Sequence, residues 1–337
     1  MAENRKINWL VILQGWAMLW VVIGHSPLGE PGAGPGWESV LYHFAYSFHM
    51  PLFMLVSGWL FYLTRLKPNE SNCDSTNGGG QWSYNKIIKD KVVRLLLPGF
   101  VFSLVAFVLK ISFPSEMTRQ VGIGLGDIAH AYLYPNDNPM RELWFIATLF
   151  WFFVVTPFWN VVLKKRWLMW LALATLIILH FFHPTTGFLC IGSFFDYALW
   201  FYLGIIISKT VFVENVLRNH VWAALVLGLV IYVFGVFTMD IITTFGGIII
   251  SFSLALIADT FIPRLFYSFR NYTYQIFLMG IFAQMFVKII FRHVDWPYTP
   301  TFLLCILMGL YVPVIVSKII EIINWKPLLL CVGLKKK

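Results

Sequence analysis

Long apolar runs recur along this chain with only short polar links between them, and they leave few folds open to it. A segment of about 20 mostly apolar residues is long enough to cross the hydrocarbon core of a bilayer as a helix. In lipid the backbone must satisfy its own hydrogen bonds, which leaves helices or closed barrels. Ten such segments can be read, at roughly 8–25, 44–63, 95–113, 143–162, 167–182, 194–208, 221–238, 242–262, 272–291 and 299–323. Composition decides between a membrane and a large soluble core. Hydrophobic residues make up 59% of the 337, charged residues 12%, and the mean hydropathy is +0.74, whereas soluble domains carry roughly 25% charged residues. The sequence therefore predicts an all-α fold, a polytopic membrane helix bundle of about ten transmembrane helices. One integral-membrane domain is expected over 1–337, with an inner loop at 64–94 and an outer loop at 114–142 as its functional loops. Arg5 and Lys6 before the first apolar run imitate a signal peptide, but no small-x-small site follows, so the run reads as a retained first span.

The net charge of +9 is not the footprint of a nucleic-acid binder, because it is dealt out loop by loop. With the N-terminus on the cytoplasmic side, the inner segments hold 19 of the 25 Lys and Arg, from Arg5 and Lys6 through Lys164 to Arg166 to the closing lysines. That bias is the positive-inside pattern, and an even number of spans places both termini in the cytoplasm. Cys73, Cys190, Cys305 and Cys331 are scattered, without metal-ligand spacing, so neither a disulfide nor a metal site is expected. Residues 68–82, "PNESNCDSTNGGGQW", read as a polar, glycine-rich inner loop.

Polar residues at the ends of spans are the candidates for chemistry. In "LQGWAMLWVVIGHSP", Gln14 and His25 are eleven positions apart, about three turns plus 20° on a helix, so they share one face roughly 16 Å apart. That face suits protein or a wet cavity rather than lipid. His25 could simply close a helix at the interface. His49, at the outer end of the next span in "YSFHMPLFMLVSGWLF", lies at similar depth, and two such histidines point equally to an acid–base site. Glu142, at the mouth of "RELWFIATLF", shares that depth as an orienting carboxylate. Its neighbour Arg141 pairs with it as a charge couple at the span mouth, and a membrane-interface aromatic belt explains Trp144. In "KIIKDKVVRLLLP", Lys91 and Arg94 at i, i+3 form either ordinary inner charge or an anion clamp, thickened by Lys86 and Lys89. Ser57 and Gly58, within the second span, read first as close-packing residues.

Together these stretches resemble the membrane-bound acyltransferase-3 family. The likeness rests on "GWAMLWVVIGHS", "FHMPLFMLVSGWLF", the basic-x-x-Arg run ending at Pro98, "ELWFIATLF", "WFYLGIIIS" and "NYTYQIFLMG", in the family's order. The "FHMP" form is similar to the fucose-O-acetylase-like branch. The resemblance implies a glycan O-acetyltransferase in a bacterial cytoplasmic membrane. It would take acyl groups, expected to be acetyl, from cytosolic acyl-CoA to hydroxyls of an extracytoplasmic glycan, with acetyl-CoA as co-substrate and no permanently bound cofactor. It makes His25 the essential histidine, either a general base or a transiently acylated group, with Glu142 or His49 beside it. Lys91, Arg94, Lys86 and Lys89 would hold the donor phosphates, the face bearing Gln14 would guide the donor arm, and Trp144, Arg141, Tyr132 and Tyr134 of the outer loop and its end would cradle the acceptor. Two positions depart from the family: Gln14 stands where it has a cation, and Gly280 where it often has a histidine. A transporter or flippase of a glycan or lipid-linked intermediate is the rival that the same ten spans allow.

Overall fold

The computed structural model describes residues 2–29, 34–66, 84–114, 122, 124–294 and 296–334. The loop at 68–82 lies outside the described residues, as do 115–121 of the outer loop. Among the described residues the regular structure is helical throughout: α1 (Ala2–Gly24), α2 (Gly36–Phe61), α3 (Tyr84–Lys91), α4 (Leu97–Ser112), α5 (Leu125–Leu133), α6 (Leu143–Val154), α7 (Thr156–Val162), α8 (Arg166–Phe181), α9 (Ile191–Thr210), α10 (Val221–Val236), α11 (Asp240–Phe261), α12 (Thr273–His293), α13 (Tyr298–Ile323) and α14 (Lys326–Cys331). All ten apolar segments fall on these helices. Length and composition mark six stretches as able to cross a membrane: Gly36–Leu66, Tyr84–Ser112, Phe188–Thr210, Asp240–Phe261, Arg270–His293 and Tyr298–Ile323. The pair α6–α7, bent by 52°, makes up to seven, and Asn8–Gly24, Arg166–Phe181 and Val221–Val236 are shorter apolar helices.

The bend between α6 and α7 has a local cause. Pro157 has no N–H for the carbonyl of Phe153 one turn back, so the helix cannot run on unbroken. The Thr156 hydroxyl donates to that carbonyl instead, at 2.5 Å. Pro51 poses the same problem inside α2, where it frees the Ser47 carbonyl. There the Thr244 hydroxyl of α11 donates to it at 2.7 Å, and α2 continues.

The chain divides into two compact units. The first comprises 1–56 and 210–323, the second 57–209 and 324–337. In the first, α1 packs on α11, α12 and α13. Met18, Val21 and Val22 bury against Ile276, Leu310 and Val314, and the Trp16 indole donates to Ser251 Oγ at 3.0 Å. Gly280 of α12 meets the backbone of α13: a Cβ there would lie 2.8 Å from the Gly309 carbonyl oxygen. That carbonyl is the one Pro313 leaves without its helical donor.

The second unit is built on an aromatic core. Phe152 stacks on Phe201 at 4.5 Å and Trp159 on Tyr202 at 5.3 Å. Gly58 abuts the backbone of α9, since a Cβ would come within 1.9 Å of the Phe201 carbonyl oxygen. The packing reading of this small-residue pair thus has a structural cause at Gly58. Two π-helical turns, Tyr62–Leu66 at the end of α2 and Val92–Leu96 between α3 and α4, also belong to this unit.

Candidate functional site

In the first unit the end of α1 carries His25. Its backbone N–H still donates to Val21 O at 3.1 Å, so the residue sits on the last helical turn, half-buried. The side-chain phase expected from Gln14 to His25 therefore persists to the helix end. The Tyr46 ring of α2 lies edge-on to the His25 ring at 6.1 Å and to the His49 ring at 4.9 Å. The structure thus brings the two histidines together around one tyrosine. His49, expected at the outer end of its span, instead lies midway along α2, because the helix already begins at Gly36; it is buried, and its Nδ1 lies 2.6 Å from the Ala45 carbonyl oxygen. A carbonyl only accepts, so Nδ1 carries a proton and donates. Gln14 is half-buried, and its side chain makes no hydrogen bond among the described residues. Next to it, Gly15 packs against Phe266 and Arg270.

Sequence reading missed what holds the end of α1. The Gln284 amide donates to Val22 O at 2.8 Å and to Ser26 Oγ at 2.9 Å. The Lys288 ammonium donates to His25 O at 2.9 Å. Both residues stood in the sequence as polar interruptions of an apolar helix, one turn apart, and that is the signal that could have found them.

The remaining candidates belong to the second unit. Glu142 precedes α6, half-buried, and its carbonyl accepts from Phe145 N–H at 3.1 Å; Arg141 is exposed. Trp144 stacks on Tyr197 at 5.3 Å. The Tyr132 hydroxyl lies 3.1 Å from Ser103 Oγ, while Tyr134 stacks on His130 at 4.5 Å and meets Phe188 edge-on. Tyr132 and Tyr134 are consequently built into separate contacts rather than one shared face.

The basic run is less uniform than its spacing suggested. Lys86 and Lys89 are exposed on α3. The Lys91 ammonium lies 3.9 Å from the centre of the Phe153 ring, a cation–π contact. Arg94 is about half-exposed and pairs through Nε with Asp90 at 2.8 Å, and the same carboxylate takes Arg65 at 2.7 Å. Residues at i, i+3 share one face only in an α-helix. Residues 92–96 form a π-helical turn, whose longer loop of chain carries Arg94 away from Lys91 around the axis. Two cations on one carboxylate leave a positive surplus. Arg94 lines a cavity of about 270 Å³ with Val93, Lys326, Leu329, Leu330 and Leu334.

Comparison with known proteins adds one positive finding. Residues 7–318 match the family model of an acyltransferase domain. No curated protein and no solved structure matches.

Proposed function

The chain belongs to the acyltransferase-3 family, and we propose that it is a multi-pass membrane O-acetyltransferase acting between cytosolic acetyl-CoA and a hydroxyl of an extracytoplasmic glycan. The observation that carries this reading is the His25–Tyr46–His49 arrangement between the end of α1 and the middle of α2. One imidazole at the end of α1 and a second buried midway along α2 suit proton transfer better than lipid contact.

In this reading the acceptor oxygen attacks the thioester carbonyl as His25 takes the hydroxyl proton. The new C–O bond forms, the C–S bond breaks, and the proton passes to the leaving thiolate. His49, its proton committed to Ala45 O, fixes the Tyr46 wall against which His25 works. Lys86, Lys89 and Arg94, with Lys91 behind them, hold the donor phosphates through charge-assisted hydrogen bonds. Glu142 and Trp144, with Arg141, Tyr132 and Tyr134, serve the acceptor. The ten helical segments cross the membrane of a bacterial cell with both termini in the cytoplasm.

The test is transfer of label from radiolabelled acetyl-CoA to extracted cell-envelope glycans by the purified protein. A general base contributes about 10²–10⁴-fold, so His25→Ala should lose activity on that scale while inserting normally. A His25→Ala variant with wild-type transfer overturns the mechanism. Wild-type protein that moves no label but carries glycan across vesicles would make it a transporter.

A further inference from the structure

The end of a helix leaves its last carbonyls without intrahelical donors, and at membrane depth such groups need partners from elsewhere in the protein. At the end of α1 those partners come from one face of α12. Gln284 and Lys288 are four residues apart, so they lie one above the other on that helix. The Gln284 amide spans Val22 O, at 2.8 Å, and Ser26 Oγ, at 2.9 Å; the Ser26 hydroxyl itself donates to Val22 O at 2.7 Å. Lys288 reaches the next exit point, the carbonyl of His25 itself, at 2.9 Å. The network is enclosed. Ser26 is fully buried, Gln284 is 2% exposed, and Cys305 of α13 donates to the Gln284 carbonyl from behind at 3.8 Å.

We propose that Lys288 is a positioning residue for His25: with Gln284 it clamps the last turn of α1, and the clamp sets where the imidazole stands. A lysine is well chosen for this. Its charge strengthens the hydrogen bond to a carbonyl and complements the negative end of the α1 dipole. The His25 side chain leaves the same residue whose carbonyl is held, so a backbone shift there moves the ring directly. A displacement of about 1 Å at a reacting group can cost about a hundredfold in rate. The clamp rests on the reading of His25 as the group that handles the acceptor proton, and the experiment separates the two.

Lys288→Met, Lys288→Arg and His25→Ala are purified beside wild type. Each is assayed with radiolabelled acetyl-CoA and cell-envelope glycans, with the folded fraction measured by size-exclusion chromatography. Lys288→Met should lower kcat about 30- to 100-fold per folded molecule while the KM for acetyl-CoA stays within about twofold. Lys288→Arg, which keeps a charged donor, should recover most of the loss. If the methionine variant does not fold, Lys288→Gln, a donor of shorter reach, is read in its place with the same expectation. Wild-type kcat in Lys288→Met, or a loss matched by its folded fraction, overturns the clamp while His25→Ala remains inactive. A rise in KM with kcat unchanged also overturns it, by placing Lys288 in donor binding. Wild-type activity in His25→Ala overturns the reading beneath it.

Discussion

Single residues in this protein are set by close approaches of backbone to backbone. Gly58 is the clearest, with the Phe201 carbonyl oxygen 1.9 Å from where its Cβ would be. No rotamer change relieves a clash with a main chain, so α2 and α9 would have to separate. Overpacking of this kind costs about 1–3 kcal/mol and occasionally more. Gly58→Ala should lower the midpoint of thermal unfolding in detergent. Gly126, in α5, meets nothing within 4 Å, and Gly126→Ala should leave the midpoint level or raise it, because alanine favours helix by up to about 1 kcal/mol. Equal midpoints for the two variants would refute the close approach at Gly58. Gly280 is set by a close approach of the same kind. A histidine there would drive its Cβ into the Gly309 carbonyl, so the family's residue cannot be accommodated without moving α13.

At the scale of elements, the junction of α3 and α4 sorts the basic run by role. The π-helical turn Val92–Leu96 sends Lys91 onto Phe153 and Arg94 toward the cavity with Lys326. The expected consequence is an unequal pair of mutants. Arg94→Ala removes a half-exposed charge able to meet a phosphate; a hydrogen bond to a charged group is worth about 1.5–3 kcal/mol, so coenzyme A affinity should fall about tenfold or more. Lys91→Ala should weaken coenzyme A less and stability more, because its ammonium is engaged by an aromatic ring. Titration calorimetry for binding and thermal unfolding for stability read the two effects. Unchanged coenzyme A affinity in Arg94→Ala would reduce the run to topology charge.

At the scale of the whole molecule, the proposal of ten crossings with cytoplasmic termini makes a directional prediction. Asn136 and Lys164 are both exposed, and α6 and α7 lie between them in the sequence. In a cysteine-free background, Asn136→Cys should react with a membrane-impermeant maleimide from outside intact cells. Lys164→Cys should react only after the membrane is opened. Labelling of both from one side would mean that the bent pair re-enters rather than crosses, and the count of ten would fall.

The sequence by itself determined that the long apolar runs are helical, while α5 lies inside the stretch read as an outer loop and α2 begins at Gly36 rather than at 44. Apolar runs and terminal charges are local signals: each run buries or spans on its own composition, and His25 sits at the end of its helix because "GHSP" stops the run there. Glu142 before α6 was legible as a helix-end residue for the same reason, whereas His49 lies inside α2. Which of them meet was decided only by the tertiary structure. Lys288 reaches His25 across 263 positions of sequence, and Tyr46 joins two histidines by a rotation of α2 that no periodicity specifies. Asp90 ties Arg65 to Arg94 through two π-helical turns that break the α-helical phase on which spacing arguments depend. Helix rotation and register follow from contacts such as Gly58 on Phe201 and Gly280 on Gly309. Those contacts are non-local, and a helical repeat carries no information about which face its neighbour will take.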